Sequence, residues 1–189
     1  MGLPSGTLWY SCNVGTVKPQ GYGTYFAWGE TITKDYYDWS TYDYGTGENA
    51  LTKYCNNADN GLNGFTDGLT TLESTDDAAT TILGGGARTP TQAEWQELVD
   101  NTTSEWTTMN GVYGRKFTAS NGKSIFLPAA GNRFGSELYN DGTYGSYWSS
   151  SLYETRPYYA WGMDFYSDGQ GVSYYSRYYG RSVRAVRQN

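Results

Sequence analysis

Residues 106–127 read WTTMNGVYGRKFTASNGKSIFL. Two Asn-Gly pairs, Asn110-Gly111 and Asn121-Gly122, separate three strand-like runs: Trp106-Thr107-Thr108, Tyr113 to Thr118, and Ser124-Ile125-Phe126-Leu127. Asn-Gly is the strongest two-residue hairpin signal, because the tight turn needs a positive φ that these residues tolerate. The stretch therefore predicts consecutive antiparallel strands. Toward the C-terminus the pattern continues. Asp141-Gly142 and Asp168-Gly169 mark turns around Tyr147-Trp148-Ser149-Ser150-Ser151 and the segment from Tyr159 to Phe165, and Ser182-Val183-Arg184-Ala185-Val186 closes the chain. Ala160, Gly162 and Asp164 alternate with Trp161, Met163 and Phe165, which reads as a half-buried strand.

Toward the N-terminus, Leu8-Trp9-Tyr10 and Tyr25-Phe26-Ala27-Trp28 are short aromatic strands bounded by glycines. Thr31 to Gly68 is polar and turn-rich and predicts a long ordered loop. One helix follows Ser74-Thr75, with Asp76 and Asp77 in its first turn, where acids meet the positive end of the dipole. Ala78, Ala79, Ile82 and Leu83 form its apolar side, and Gly84-Gly85-Gly86 stops it. A second helix opens on the capping box Thr91-Gln92-Ala93-Glu94 after Pro90, with Trp95, Leu98 and Val99 as its buried stripe. The sum is a single α+β domain over residues 1–189, with two short helices, short antiparallel strands and long ordered loops.

Composition narrows the function. The chain has no histidine, which removes His-based acid–base catalysis, the Ser-His-Asp and Cys-His arrangements, and His-ligated zinc. Cys12 and Cys55 are too far apart for a CxxC motif; they form one disulfide or remain two buried thiols. A net charge of −6 argues against nucleic acid as a partner. No apolar run approaches the length of a membrane span, and no signal segment is present in this chain. The paired Asp76-Asp77 reads as a helix cap, so no metal site is expected, and a structural calcium ion in the loop at 56–68 stays open. Asp164 and Asp168, spaced as a glycosidase pair might be, read instead as caps and solubilising charges on a strand and a turn.

The charge and the tyrosines are unevenly spread. Residues 1–132 hold 14 acidic and seven basic side chains, whereas residues 133–189 hold five acidic and six basic ones. Of 20 tyrosines, eleven fall between Tyr139 and Tyr179. A core rarely takes so many hydroxylated rings, since each buried one needs a hydrogen-bond partner. Tyrosine mixed with Ser, Gly, Asn and Asp is the composition of an adaptable binding surface.

An ordered set of segments carries a resemblance over nearly the whole chain. The set is Gly2-Leu3-Pro4-Ser5-Gly6-Thr7-Leu8-Trp9, Tyr25-Phe26-Ala27-Trp28-Gly29-Glu30, Leu51-Thr52-Lys53-Tyr54-Cys55, Asp76-Asp77-Ala78-Ala79, Arg88-Thr89-Pro90-Thr91, Phe126-Leu127-Pro128-Ala129-Ala130-Gly131, Tyr147-Trp148-Ser149-Ser150-Ser151 and Ser182-Val183-Arg184. In this order the segments resemble the C-type-lectin-fold variable proteins of diversity-generating retroelements, in the branch related to formylglycine-generating enzyme.

The resemblance implies a C-type lectin fold and a changeable ligand-binding site at about residues 132–184. In that group a reverse transcriptase copies a template with errors at adenines, chiefly in AAC codons. Residues reachable from AAC then occupy the site: Phe134, Tyr139, Asn140, Tyr144, Ser146, Tyr153, Tyr158, Tyr159, Gly162, Tyr166, Tyr174, Tyr175, Tyr178 and Tyr179. Trp148, Trp161 and Met163 cannot be reached and are scaffold; Tyr147 and Arg184 lie inside matched segments and are scaffold too. The enzyme branch relies on a cysteine pair late in the domain, whereas both cysteines here lie in the first 55 residues, so no catalysis and no cofactor are expected. The implied function is a receptor or adhesin, at a cell surface or on a phage particle, for a protein or surface glycan. The alternative is a fixed-sequence, lectin-like adhesive or glycan-binding module of a bacterial surface protein.

Overall fold

Asn110 and Gly111 take φ of 51° and 82°, as a two-residue hairpin turn requires. They join strands at Thr102–Met109 and Val112–Ala119, and the turn at Asn121-Gly122 brings in a third at Ser124–Pro128. In chain order these are β3, β4 and β5 of a computed structural model that describes residues 1–189. Before them come β1 (Leu8–Asn13), β2 (Tyr25–Phe26), α1 (Ala78–Leu83) and α2 (Gln92–Asp100). After them come β6 (Asn132–Phe134), β7 (Glu137–Tyr139), β8 (Gly145–Leu152), β9 (Tyr159–Tyr166), β10 (Gly169–Ser176), β11 (Arg181–Ser182) and β12 (Arg184–Arg187). The chain is a strand-rich α+β protein with two short helices and several small sheets. No helix is long and apolar enough to cross a membrane.

The organising sheet has the order β10-β9-β8-β11-β2, with β11 parallel to β8 and the other neighbours antiparallel. β3-β4-β5 form a second sheet, β6-β7 a small hairpin, and the terminal strands β1 and β12 pair with each other. Side chains alternate across a strand, so β8 and β9 serve two apolar clusters. Tyr147, Met163 and Phe165 pack toward Trp95, Leu98, Phe117 and Leu127. Trp148, Leu152 and Ala160 pack toward Trp28, Tyr54 and Val183. The strand expected to be half-buried is therefore covered on both faces through most of its length. Asp164, expected to cap or solubilise, is buried there and paired with Arg181.

The helices follow their caps. Thr91 and Glu94 form the expected capping box, and Trp95 and Leu98 are buried, with Val99 partly so. α1 starts two residues later than expected, at Ala78. Asp77 is its N-cap, accepting from the Ala79 and Thr80 amides, while Asp76 stands outside and accepts from Lys53 and Tyr54. With six residues, α1 buries only Ala78 and Ala79; Ile82 and Leu83 point outward.

The long loop from 31 to 68 contains only a 3-10 turn at Leu62–Gly64 as regular structure, and it is held from the opposite end of the chain. Arg177 is fully buried and donates to the Tyr42 hydroxyl (2.8 Å) and to the carbonyls of Lys53, Tyr54 and Pro157 at 3.0–3.1 Å. Inside the loop, the Asp67 carboxylate accepts from the amides of Tyr54, Cys55 and Leu69, so a side chain organises the turn left open to calcium. Cys12 and Cys55 are both free thiols, Cys55 buried and Cys12 half-buried, so the structure shows neither the disulfide nor a pair of buried thiols. Cys12 lies on β1 beside buried Arg184, and Cys55 lies by Arg177, its thiol donating to the Asn57 carbonyl.

Candidate ligand-binding surface

Fifteen of the twenty tyrosines fall into two populations, five buried and ten expected at the binding site, while Tyr10, Tyr22, Tyr36, Tyr44 and Tyr113 lie elsewhere. Tyr25, Tyr37, Tyr42, Tyr54 and Tyr147 are buried, and each hydroxyl donates to an internal acceptor: Ala130 O, Tyr25 O, Trp28 O, Asp76 Oδ2 and Pro128 O, respectively, all at 2.5–2.8 Å. This is the pairing that burial of a phenol demands. Tyr147 is scaffold as expected, as is Arg184, whose three nitrogens reach Asn13 Oδ1, Tyr10 O and Phe126 O. Trp148 likewise donates to the Phe26 carbonyl at 2.8 Å.

The second population is the outward one. Apart from Ser146 and Gly162, every residue expected at the binding site is exposed or half-buried. The register places these residues on two faces of the β8-β9-β10 sheet. One group gathers at the start of β9. Tyr153 stacks on Tyr174 with ring centres 4.0 Å apart, Tyr159 lies 5.4 Å from Tyr174, and Tyr158 lies 4.5 Å from Tyr159. Trp161, expected only as scaffold, meets Tyr153 and Tyr174 edge-on at 5.0 and 5.9 Å, so it is the half-buried centre of this group.

The other group surrounds a cleft of about 400 Å³ between the β6-β7 hairpin and the opposite face of the sheet. Its walls are Phe134, Tyr139, Tyr144, Tyr175 and Tyr179, with Asn132 and Asn140, and Ser146 and Arg181 complete the lining. Tyr166 stacks on Tyr144 at 5.7 Å, and Tyr178 stacks on Tyr179 at 4.8 Å while its other side meets Trp39. Burial pushes the Tyr178 phenol up to about 12, reinforced by the neighbouring Tyr179 hydroxyl.

The cleft floor is polar. Arg181 Nη2 donates to Asp164 Oδ1 at 3.0 Å, and the guanidinium lies 3.6 Å from the centre of the Tyr175 ring and 4.9 Å from that of Trp148. Burial raises the Asp164 carboxyl, and the Arg181 charge opposes that rise. Gly162 lies directly beneath. A Cβ there would come within 2.5 Å of the Tyr147 carbonyl and 2.6 Å of Arg181 Nη1. Gly162 is therefore part of the frame and presents no side chain to a ligand, contrary to the expectation. Ser146, opposite Asp164 in the β8-β9 register, lies at the bottom of the cleft rather than on its rim.

Arg181, Asn132 and Asp164 were not anticipated at the site. Asn132 and Arg181 stand at the two ends of the region, and nothing local in the sequence distinguishes a cleft-lining arginine from the buried Arg177 and Arg184. The signal available was the charge itself: an arginine and an aspartate inside otherwise Tyr- and Ser-rich strands ask for each other as partners.

A family model described as a domain of unknown function, DUF8237, matches residues 101–186, which run from the start of the β3-β4-β5 sheet through the whole candidate surface. No curated protein and no solved structure matches the chain.

Proposed function

We propose that this chain is a non-enzymatic ligand-binding protein, a C-type-lectin-fold variable protein whose outward tyrosines are the positions that a diversity-generating retroelement changes. The observation that carries the reading is the division of the tyrosines. Inner rings have their hydroxyls paired and sit in the frame, while the rings expected to vary gather outward in two groups on the sheet. Apart from Tyr175, whose hydroxyl meets Asp164, their loss leaves the hydrogen bonds of the inner rings intact, which is what a surface altered without unfolding requires. Tyrosine also brings large contact area with only two χ angles to order. The two short helices, the short strands and the long loop clamped by Arg177 support the lectin-type assignment within the α+β class. The ligand is a protein or a surface glycan, and the setting is a cell surface or a phage particle.

A second reading, a fixed-sequence adhesive or glycan-binding module, is favoured by the cleft floor, where Asp164 and Arg181 are locked into the frame. The native locus separates the two. Sequencing roughly ten kilobases on each side should reveal a near-copy of the DNA for residues 132–184 beside a reverse-transcriptase gene, with mismatches confined to template adenines. The codons of Tyr139, Tyr153, Tyr174 and Tyr178 should then read TAC opposite AAC. A locus with no such copy removes diversification and leaves the fixed module.

A further inference from the structure

Arg181 keeps two buried guanidinium nitrogens, Nε and Nη1, without a hydrogen-bond partner under the cleft, beside an Asp164 carboxylate that the Ser146 and Tyr175 hydroxyls approach. Buried polar groups are almost always partnered. The contrast within this protein is sharp, since the other two fully buried arginines of the C-terminal segment, Arg177 and Arg184, each use all three guanidinium nitrogens. Arg181 uses one. Arg181 and Ser146 are 2% and 1% exposed, and both line the cleft.

We infer that the cleft takes one neutral sugar ring of a glycan, whose hydroxyls pair with the Ser146–Asp164–Arg181 floor while its apolar face lies on the tyrosine walls. The inference rests on the reading of this face as a ligand-binding surface and names the ligand class. Three features select it. The volume falls in the range of small-molecule sites. Asp164 neutralises Arg181, so the floor offers donors and acceptors side by side without net charge, which suits hydroxyl groups better than a carboxylate, a phosphate or an ammonium group. The walls, Phe134, Tyr139, Tyr144, Tyr175 and Tyr179, are flat rings with apolar faces, and Asn132 and Asn140 add amides beside them. An aliphatic side chain of a protein partner would fill the space and leave the floor unpaired.

The test uses the full chain and soluble methyl glycosides of mannose, galactose and N-acetylglucosamine at millimolar concentration, followed by amide and side-chain NMR, with glucuronate as the charged comparison. At least one neutral glycoside should shift the resonances of Ser146, Tyr175 and Arg181 in a saturable way, and glucuronate should bind more weakly. Ser146→Ala removes one floor hydroxyl with little change of volume and should weaken binding roughly three- to tenfold, and Tyr179→Ala on the order of tenfold. Tyr113→Ala, on β4, should leave binding unchanged. Asp164→Asn is informative only if its melt stays cooperative, so Ser146→Ala carries the decision. If no neutral glycoside shifts the floor, or if glucuronate binds better, the inference fails. If a glycoside binds but responds to Tyr153→Ala and Tyr174→Ala and not to Ser146→Ala or Tyr179→Ala, the cleft assignment fails while the binding-surface reading stands. If instead a peptide amide shifts the same floor resonances and the sugars do not, the ligand class is overturned and the surface reading again stands.

Discussion

Arg177 stands between Ser176 and Tyr178 in the most tyrosine-rich part of the chain, yet its Nε donates to the Tyr42 hydroxyl at 2.8 Å in the interior. Its neighbours Tyr178 and Tyr179 look toward the cleft rim while Arg177 reaches through to the loop at 53–54. One stretch of backbone therefore serves both the surface and the frame. Replacing Arg177 with Met should leave the Lys53, Tyr54 and Pro157 carbonyls without their donor. The loss should be at least ~3 kcal/mol, a fall in Tm of roughly 6–12 °C for a chain of this size, measured by calorimetry. A change of under about 2 °C would mean that the loop holds itself.

The crowding at Gly162 makes a sharper statement. Gly162→Ala pushes a methyl against the Tyr147 carbonyl and Arg181, and overpacking of this kind should destabilise by ~2 kcal/mol. Gly171 on the adjacent β10 has nothing within 4 Å of the same added atom, so Gly171→Ala should stay within about 0.5 kcal/mol of the parent. Chemical denaturation of the two variants side by side checks the difference; equal midpoints would show that the floor is not packed as described.

The outward rings behave in the opposite sense. Combined alanine substitution of Tyr158, Tyr159, Tyr174 and Tyr178 removes exposed and half-buried rings that meet one another and the neighbouring Tyr153, Trp161, Trp39, Phe134 and Tyr179. Thermal stability should stay within a few degrees, while decoration of target cells by the labelled chain, at on the order of 1–2 kcal/mol per anchoring ring, should fall below detection. Undiminished decoration would place the binding surface elsewhere.

Acid should act through Glu94. Burial raises its carboxyl, but the forked contact from Arg88 at 2.6 and 2.7 Å, the Thr91 amide and the Thr7 hydroxyl outweigh burial and hold it below the usual value. A carboxylate lowered in the folded state contributes stability above its unfolded pKa of about 4.3 and loses it as pH falls through the folded value. The free energy of unfolding should therefore decline below about pH 4, and Glu94→Gln should flatten that decline while lowering stability at neutral pH. A parallel acid limb in the variant would contradict the assignment.

Much of the frame was legible because it depends on local chemistry. The Asn110-Gly111 turn, the Thr91–Glu94 box and the glycine stop after Leu83 are set by neighbouring residues, and each appears where its residues require. The β6-β7 hairpin was not legible, because three-residue strands carry too little periodicity to stand out. The placement of Asp164 was missed for a related reason: an acidic residue in a strand says nothing of the arginine that pairs with it from 17 positions away. The outward tyrosines could be picked out by composition. Their separation onto two faces of one sheet could not, since it depends on the register of β8, β9 and β10 and on the irregularity between Trp148 and Leu152.

The most direct measurement is the sequence of this gene, codon by codon, across many individuals of the population that carries it. Amino-acid changes should concentrate at the outward positions, Tyr139, Tyr153, Tyr158, Tyr159, Tyr174 and Tyr178 among them, and trace to adenines of a template. Gly162, Trp148, Arg177, Arg181 and Arg184 should stay constant. Uniform sequence throughout the region, or changes that fall equally on the buried frame, would contradict a surface built to vary.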